Sequence, residues 1–477
     1  MKRFASILLA NGFLVGFFLV DVSGAAAADN WPQWRGPAGS GVAEGEDLPD
    51  TWSATRNVLW KRDVPGRGWS SPIVWQDRVF LTTVVNQGES ESPKKGLYFG
   101  GERFVPPQTL HQWKVICLDL AGGEVRWERQ VHKGTPAGPM HIKNSYASET
   151  PVTDGQRVYC YFGNLGLFCF TLDGQPAWER RCEARATRFG WGAAASPALA
   201  DGRLYVVNDN EEESYLEALD AATGNLVWRV ARDERSNWAT PFIWRNSLRT
   251  EIITPGTGKV RAYNLDGKLL YEFGGMSTIA IPTPVTAGDL LYVSSGYALD
   301  LRKPLFAIRP GASGDISLAD DQTAGEYVAW CQKQAGPYNP SPIVYRRRVY
   351  VLLDHGFLAC YDAASGEQVY SKRRFPQGEA FTSSPWAYDG KLFCLSEDGV
   401  ASVVEAGSKF KILHANALAD DDMCMATPAI ASGKLLIRTA ARIYCIAKPT
   451  KKNVRHGRLD GGNEPGKRQG GARGARR

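Results

Sequence analysis

No two cysteines are adjacent in this 477-residue chain, and it contains neither Cys-x-x-Cys nor a Cys/His cluster at zinc spacing. Those gaps exclude a structural zinc module and a haem attached through Cys-x-x-Cys-His. The chain also lacks Gly-x-Ser-x-Gly, His-Glu-x-x-His and a phosphate-cradling glycine loop. The usual signatures of a serine hydrolase, a zinc protease and a nucleotide-binding enzyme are therefore missing. The one extended apolar run, Ile7 to Val20, is too short and too poorly flanked for a membrane span.

Strong charge is missing too, except at one end. Lys and Arg number 56 against 50 acids, a net +6. Residues 448–477 hold ten Lys/Arg and two acids, so the rest of the chain is slightly acidic. Gly-rich, apolar-poor and like-charged, this segment predicts a disordered tail, with electrostatic attachment to an anionic polymer or membrane surface as its functional reading. At the other end Lys2 and Arg3 precede the apolar run, and SGAAAAD follows it. That order predicts a signal peptide over 1–28 and an exported protein, with an uncleaved anchor as the rival reading. No Cys follows the run, so no lipid anchor is expected there, and export sets nucleic acid aside as a specific partner.

What the chain has in quantity is repetition. VICLDLAGGEVRW (115–127), LEALDAATGNLVW (216–228) and LACYDAASGEQVY (358–370) each place Gly four residues and a large aromatic eight residues after an Asp. Ser/Thr-Pro followed by an apolar run occurs at Pro72, Pro151, Pro197, Pro241, Pro284, Pro342, Pro385 and Pro428, with steps of 79, 46, 44, 43, 58, 43 and 43. A period near 43 built from short Val-, Tyr-, Leu- and Ile-rich segments is that of a propeller. The sequence predicts an all-β, eight-bladed β-propeller of four-stranded antiparallel blades over residues 57–447. The last unit stops after three strands. NVLWKR (57–62) matches NLVWRV (225–230), which predicts that an N-terminal strand closes the final blade.

The repeated Asp and Gly read as turn chemistry rather than a metal box. The aromatics Trp127, Trp178, Trp228, Tyr271 and Tyr370 read as packing between neighbouring sheets. Of nine cysteines, Cys160 and Cys394 fill slots held elsewhere by Val206 and Val351, and Cys117 and Cys360 stand where another copy has Ala218. These read as small core residues. A Cys160–Cys169 bridge across a hairpin stays open as an alternative. The Trp- and Gly-rich extension, residues 29–56, is expected to lie against the propeller. Residues 86–111 form an insertion expected to act as a flap or docking loop, and 308–330 a second insertion on the far face.

Loops before the first strand of each blade, together with the connections between second and third strands, should gather at one mouth of the central channel. The candidates for ligand or partner contact there are Trp69, Asn144, Tyr146, Glu149, Trp191, Asn208, Asp209, Arg235, Asn237, Trp238, Asn339, Asp354, Glu397 and Asp398. Glu149, Asp209, Glu211, Asp354, Glu397 and Asp398 are the acids from which an oxygen site for Ca²⁺ would have to be assembled. His141 and His355 lie near the same mouth without a legible nucleophile, so no catalytic residue is assigned.

The ALDAATGNLVW unit, the Ser/Thr-Pro starts and the eight copies resemble the pyrroloquinoline-quinone-like (PQQ-like) propeller repeat over about 57–447. WPQWRGP and PGRGWSSPIVW are similar to segments of exported PQQ-like propellers common in planctomycete-type bacteria, often labelled BamB-like after the outer-membrane assembly propeller. The resemblance implies either of two functions. One is a non-catalytic scaffold holding protein or polymer partners in the periplasm or cell envelope. The other is a quinoprotein alcohol or sugar dehydrogenase with PQQ over Ca²⁺ in the channel. The adjacent-Cys pair of many such dehydrogenases is absent, and their Glu, Asn and Asp ligand set cannot be placed by motif. A third possibility is an enzyme acting on an unrelated small molecule or glycan.

Overall fold

A computed structural model of the chain describes residues 30–44, 48–89, 91–98, 100–418 and 422–448. The expected signal peptide and all but the first residue of the basic tail lie outside the described residues. Eight antiparallel sheets follow one another along the chain, each running outward from the segment after a Ser/Thr-Pro. Proline suits that place, because an innermost strand is an edge strand with one side free of ladder partners. Among the described residues there is no α-helix, only two short 3₁₀ turns, at Pro37–Gly39 and Arg188–Gly190.

The ring closes as the sequence predicts. Val58–Asp63 pairs antiparallel with Arg442–Ala447, with Trp60 opposite Cys445 and Arg62 opposite Ile443. The first and last parts of the described propeller therefore share blade 8. Blade 4 has a fifth strand: Gly314–Asp315, from the blade 5 insertion, pairs in parallel with the outermost strand of blade 4 at Tyr271 and Glu272. That insertion covers an edge that would otherwise be open.

Two sets of repeated bonds join the blades. Near the channel, the backbone N–H of seven of the eight Ser/Thr residues before Pro donates to the hydroxyl of its counterpart in the next blade. The links run from Ser71 to Thr150 (2.9 Å), Thr150 to Ser196 (2.9 Å), Ser196 to Thr240 (3.1 Å) and Thr240 to Thr283 (3.2 Å). They continue to Ser341 (2.9 Å), Ser384 (2.9 Å) and Thr427 (3.1 Å). This explains why the residue before Pro is Ser or Thr: a buried N–H needs an acceptor, and the neighbour's hydroxyl supplies one. At the seam between blades 8 and 1 the buried Arg438 donates to the carbonyls of Ser70 and Thr82, each at 2.8 Å.

At the rim, a tryptophan of each of five outermost strands lies on the turn glycine of the next blade. Trp60 meets Gly123, Trp127 meets Gly174, Trp178 meets Gly224, Trp228 meets Gly267, and Trp330 meets Gly366. Each indole N–H donates to a nearby turn carbonyl, of Leu120, Leu172, Ala221, Leu265 and Ala363 respectively, at 2.9–3.1 Å. The glycine thus serves twice. At φ +72°, Gly366 makes the turn, and a Cβ there would strike the Trp330 ring. The repeated Asp is a turn former, as expected: Asp362 Oδ1 accepts the N–H groups of Ala364 and Ser365, each at 3.0 Å.

The extension crosses the channel, pairing with the free edges of innermost strands. Trp31 and Val74 exchange backbone hydrogen bonds at 2.8 Å, and Ala43 N–H donates to Ala387 O at 3.0 Å. Arg35, fully buried, donates to Pro342 O at 2.8 Å. Farther along, Trp52 stacks on Phe393 before the chain enters the closing strand. The cysteine bridge is corrected. Cys160 lies opposite Phe168 and Cys169 opposite Tyr159, so the two are out of register, and all nine thiols are free. Burial holds the Cys169 thiol up to about 12, which makes it inert.

Candidate functional site

At the mouth, every blade contributes to one cavity of about 450 Å³. Trp69 comes from blade 1, Asn144 from blade 2, Trp191 from blade 3 and Trp238 from blade 4. Tyr297, Asn339, Thr382 and Met425 come from blades 5 to 8. Tyr98, His141, Tyr338 and His355 add further rings to the lining. Trp191 lies 5.5 Å from Trp238, and Tyr297 5.3 Å from Tyr338, centroid to centroid. The polar ends of two indoles are tied into the wall, Trp69 Nε1–H to Lys143 O at 2.9 Å and Trp238 Nε1–H to Gly192 O at 2.6 Å.

The blade 1 insertion is a strap across this mouth. It leaves the strand Arg78–Asn86, re-enters at His111–Asp119, and brings Gly96, Leu97 and Tyr98 over the cavity. One buried ion pair pins it. Lys143 Nζ donates to Glu397 Oε1 at 2.6 Å and to Gly96 O at 2.7 Å, while Gly96 N–H donates to Glu397 Oε2 at 2.8 Å. Thr382 Oγ1 also donates to Glu397, at 2.6 Å. Lys95 on the strap pairs with Asp398 at 3.0 Å, and the Tyr98 ring lies 5.6 Å from His141. Burial lowers the His141 pKa and so favours its neutral form.

The sequence candidates divide among several places. Trp69, Asn144, Trp191, Trp238 and Asn339 line the mouth cavity. Glu397 and Asp398 hold the strap. Asp354 is buried beneath Asn339, accepting the N–H groups of Tyr338 and Asn339 at 3.0 Å and the Asn339 side chain at 2.5 Å. Arg235 is exposed and lies 3.8 Å from Glu211. Glu149, Asn208, Asp209, Asn237 and Tyr146 surround a separate, smaller cavity of about 40 Å³, which Trp238 also borders. Sequence reasoning missed Tyr98, Lys143, Tyr297, Tyr338 and Thr382. Lys143, Tyr297 and Tyr338 sit in loop segments that periodicity assigns to the mouth, and only their pairing in space marks them.

The smaller cavity brings Glu149, Asn208 and Asp209 together but does not make them a cation site. Asp209 is spent on Arg232, whose Nε and Nη2 reach its two oxygens at 2.8 and 3.1 Å with both side chains fully buried. Arg232 also donates to Thr254 Oγ1 at 2.7 Å. Glu149 Oε1 accepts the Gly163 N–H at 2.9 Å, and its other oxygen has no hydrogen-bond partner among the described residues. Burial pushes the Glu149 carboxyl up to about 7, as expected where no cation offsets desolvation. Among the described residues no three His, Cys, Asp or Glu converge as metal ligands. With Asp209 paired to Arg232, the residues around this smaller cavity are not arranged as a calcium ligand set.

Comparison with known proteins gives a consistent fold. The family model described as outer membrane protein assembly factor BamB matches residues 111–299. A polyvinylalcohol dehydrogenase of Pseudomonas sp. is 26% identical over 260 residues, covering 43% of this chain and 39% of the relative. BamB of Burkholderia pseudomallei is 23% identical over 260 residues, covering 49% of this chain and 63% of the relative. The chain thus spans less than two thirds of either relative. A quinohemoprotein alcohol dehydrogenase structure from Pseudomonas putida superposes with a TM-score of 0.52 at 12% identity, over 93% of this chain and 82% of that one. That likeness is one of fold.

Proposed function

We propose that this chain, a PQQ-like β-propeller of the BamB-like type, is an exported, non-catalytic binding scaffold that holds a partner in the cell envelope through its channel mouth. One observation carries the reading. The acids around the mouth are committed to the protein's own groups, Glu397 to Lys143 and the strap, Asp354 to backbone N–H groups and Asn339. What remains free on the cavity wall is largely aromatic surface, which suits binding more than proton transfer. The kinship with an outer-membrane assembly factor supports a protein or polymer partner. The basic residues after Lys448 offer a second, electrostatic attachment to anionic polymer or a membrane surface.

A second reading, a PQQ- and calcium-dependent dehydrogenase, is favoured by the whole-length likeness in fold to a quinohemoprotein and by the polyvinylalcohol dehydrogenase match. Incubation of the purified full chain with PQQ and Ca²⁺ separates the two. The scaffold reading expects no retained quinone absorbance after desalting and no dye-linked alcohol oxidation. Retained quinone together with turnover would replace it with the dehydrogenase reading.

A further inference from the structure

We infer that the mouth cavity takes the ring of a neutral saccharide. This rests on the reading of the mouth as a binding site and names the chemistry of what enters it. The first argument is charge. Lys143, the one Lys or Arg among the described lining residues, is spent on Glu397 and Gly96 O and is not offered to an anionic group. No Asp or Glu is among the described lining residues to hold a cationic guest, although the aromatic rings alone would accept one. An uncharged ligand is left.

The second argument is the shape of the polarity. With the N–H groups of Trp69 and Trp238 turned into the wall, those indoles offer carbon surface rather than donors. Beside them, the hydroxyls of Tyr297 and Tyr338 and the imidazole of His355 make no hydrogen bond among the described residues, though all three residues line the cavity. Asn339 gives its amide N–H to Asp354, and its side-chain oxygen accepts from no described group. A purely aliphatic or aromatic guest would bury these groups unsatisfied, which is costly. A pyranose matches both features, with C–H faces for the rings and hydroxyls for the tyrosines, His355 and Asn339. A cavity of about 450 Å³ is large enough for such a guest.

Calorimetric titration of the full chain with neutral tetrasaccharides of β-1,4-glucose, α-1,4-glucose and β-1,4-N-acetylglucosamine tests this. An extended aromatic-rich peptide and a short poly(vinyl alcohol) serve as competing guests. At least one saccharide is expected to bind, with affinity unchanged between about 0.05 and about 0.5 M salt, since no ion pair forms. Trp191→Ala should weaken that binding about tenfold or more. Tyr297→Phe with Tyr338→Phe keeps the rings, removes the hydroxyls and should weaken it severalfold. Thermal melting of each variant separates lost binding from lost fold. The inference is overturned if no saccharide binds, if the peptide binds in their place, or if poly(vinyl alcohol) binds equally well with the same dependence on Trp191. Quinone uptake with turnover would remove the scaffold reading itself, whereas peptide binding at these rings would remove only the saccharide.

Discussion

The rim and the mouth of this propeller use the same residue, tryptophan, to opposite ends. At the rim Trp60, Trp127, Trp178, Trp228 and Trp330 each seat on a neighbour's glycine, and each N–H closes on a turn carbonyl one blade away. At the mouth Trp69, Trp191 and Trp238 come from the corresponding loops of blades 1, 3 and 4 but line a cavity. A rim ring is seated on the turn of the next copy of the repeat, whereas a mouth ring, although also packed on or bonded to a neighbouring blade, borders the shared cavity. Repetition therefore marks structure, and the unrepeated surroundings of the mouth rings mark the cavity to which the proposed partner is assigned.

The largest effect should come from the rim. Trp330→Ala removes a buried ring from its seat on Gly366 and should cost about 3–5 kcal/mol in chemical denaturation, while leaving mouth binding unchanged. Next, Lys143→Met leaves Glu397 buried without its cation. A loss of about 3 kcal/mol near neutral pH is expected, with faster proteolysis of the strap. Adding Glu397→Gln should recover part of that loss, because the charge then goes with its partner. If Lys143→Met melts like the native chain, the strap is not held by this pair.

Glu149 offers a comparison within the mouth region, a glutamate as buried as Glu397 but without a cation. Its carboxyl is raised from an ordinary 4.5 to about 7, so the folded state holds the proton more tightly than the unfolded chain. That contribution is fully present below about pH 4.5 and is lost as pH rises to about 7, amounting to about 3 kcal/mol. Glu149→Gln should therefore flatten the stability profile across that window and stabilise the protein above it. A native profile already flat from pH 4.5 to 7 would show that Glu149 is neutralised by some group the structure does not place beside it. The smallest effect belongs to the inner ring. Thr283→Val deprives the Thr240 N–H of its acceptor and should cost about 1–2 kcal/mol, read as a shift in thermal midpoint.

The same contrast explains what could be read from the sequence. The period, the eight Ser/Thr-Pro starts and the match of NVLWKR to NLVWRV were enough to put the segment around Trp60 in the closing blade, where Trp60 lies opposite Cys445, because each is a local pattern that recurs along the chain. The Asp and Gly turns were legible for the same reason. The seating of a tryptophan on the next blade's glycine was not, since it joins positions some forty residues apart that each already had a local explanation. At the mouth the loops were identified, but acids and asparagines were favoured within them. Glu397 finds Lys143 across 254 residues of chain, and Asp209 is claimed by Arg232, so neither is free to meet a ligand. Tyr98, Tyr297 and Tyr338 carry no motif. Only the folded ring brings them to one cavity.

The claim that function resides at the mouth is tested most directly by photo-cross-linking in the cells that express the protein, since benzophenone inserts into C–H bonds of protein and glycan alike. p-Benzoylphenylalanine would be placed at Trp191 and, separately, at the exposed rim residue Val227. A discrete adduct from position 191, absent from position 227, is the expected result. An adduct from position 227 with none from 191 would contradict it, and would move the binding surface from the channel mouth to the rim.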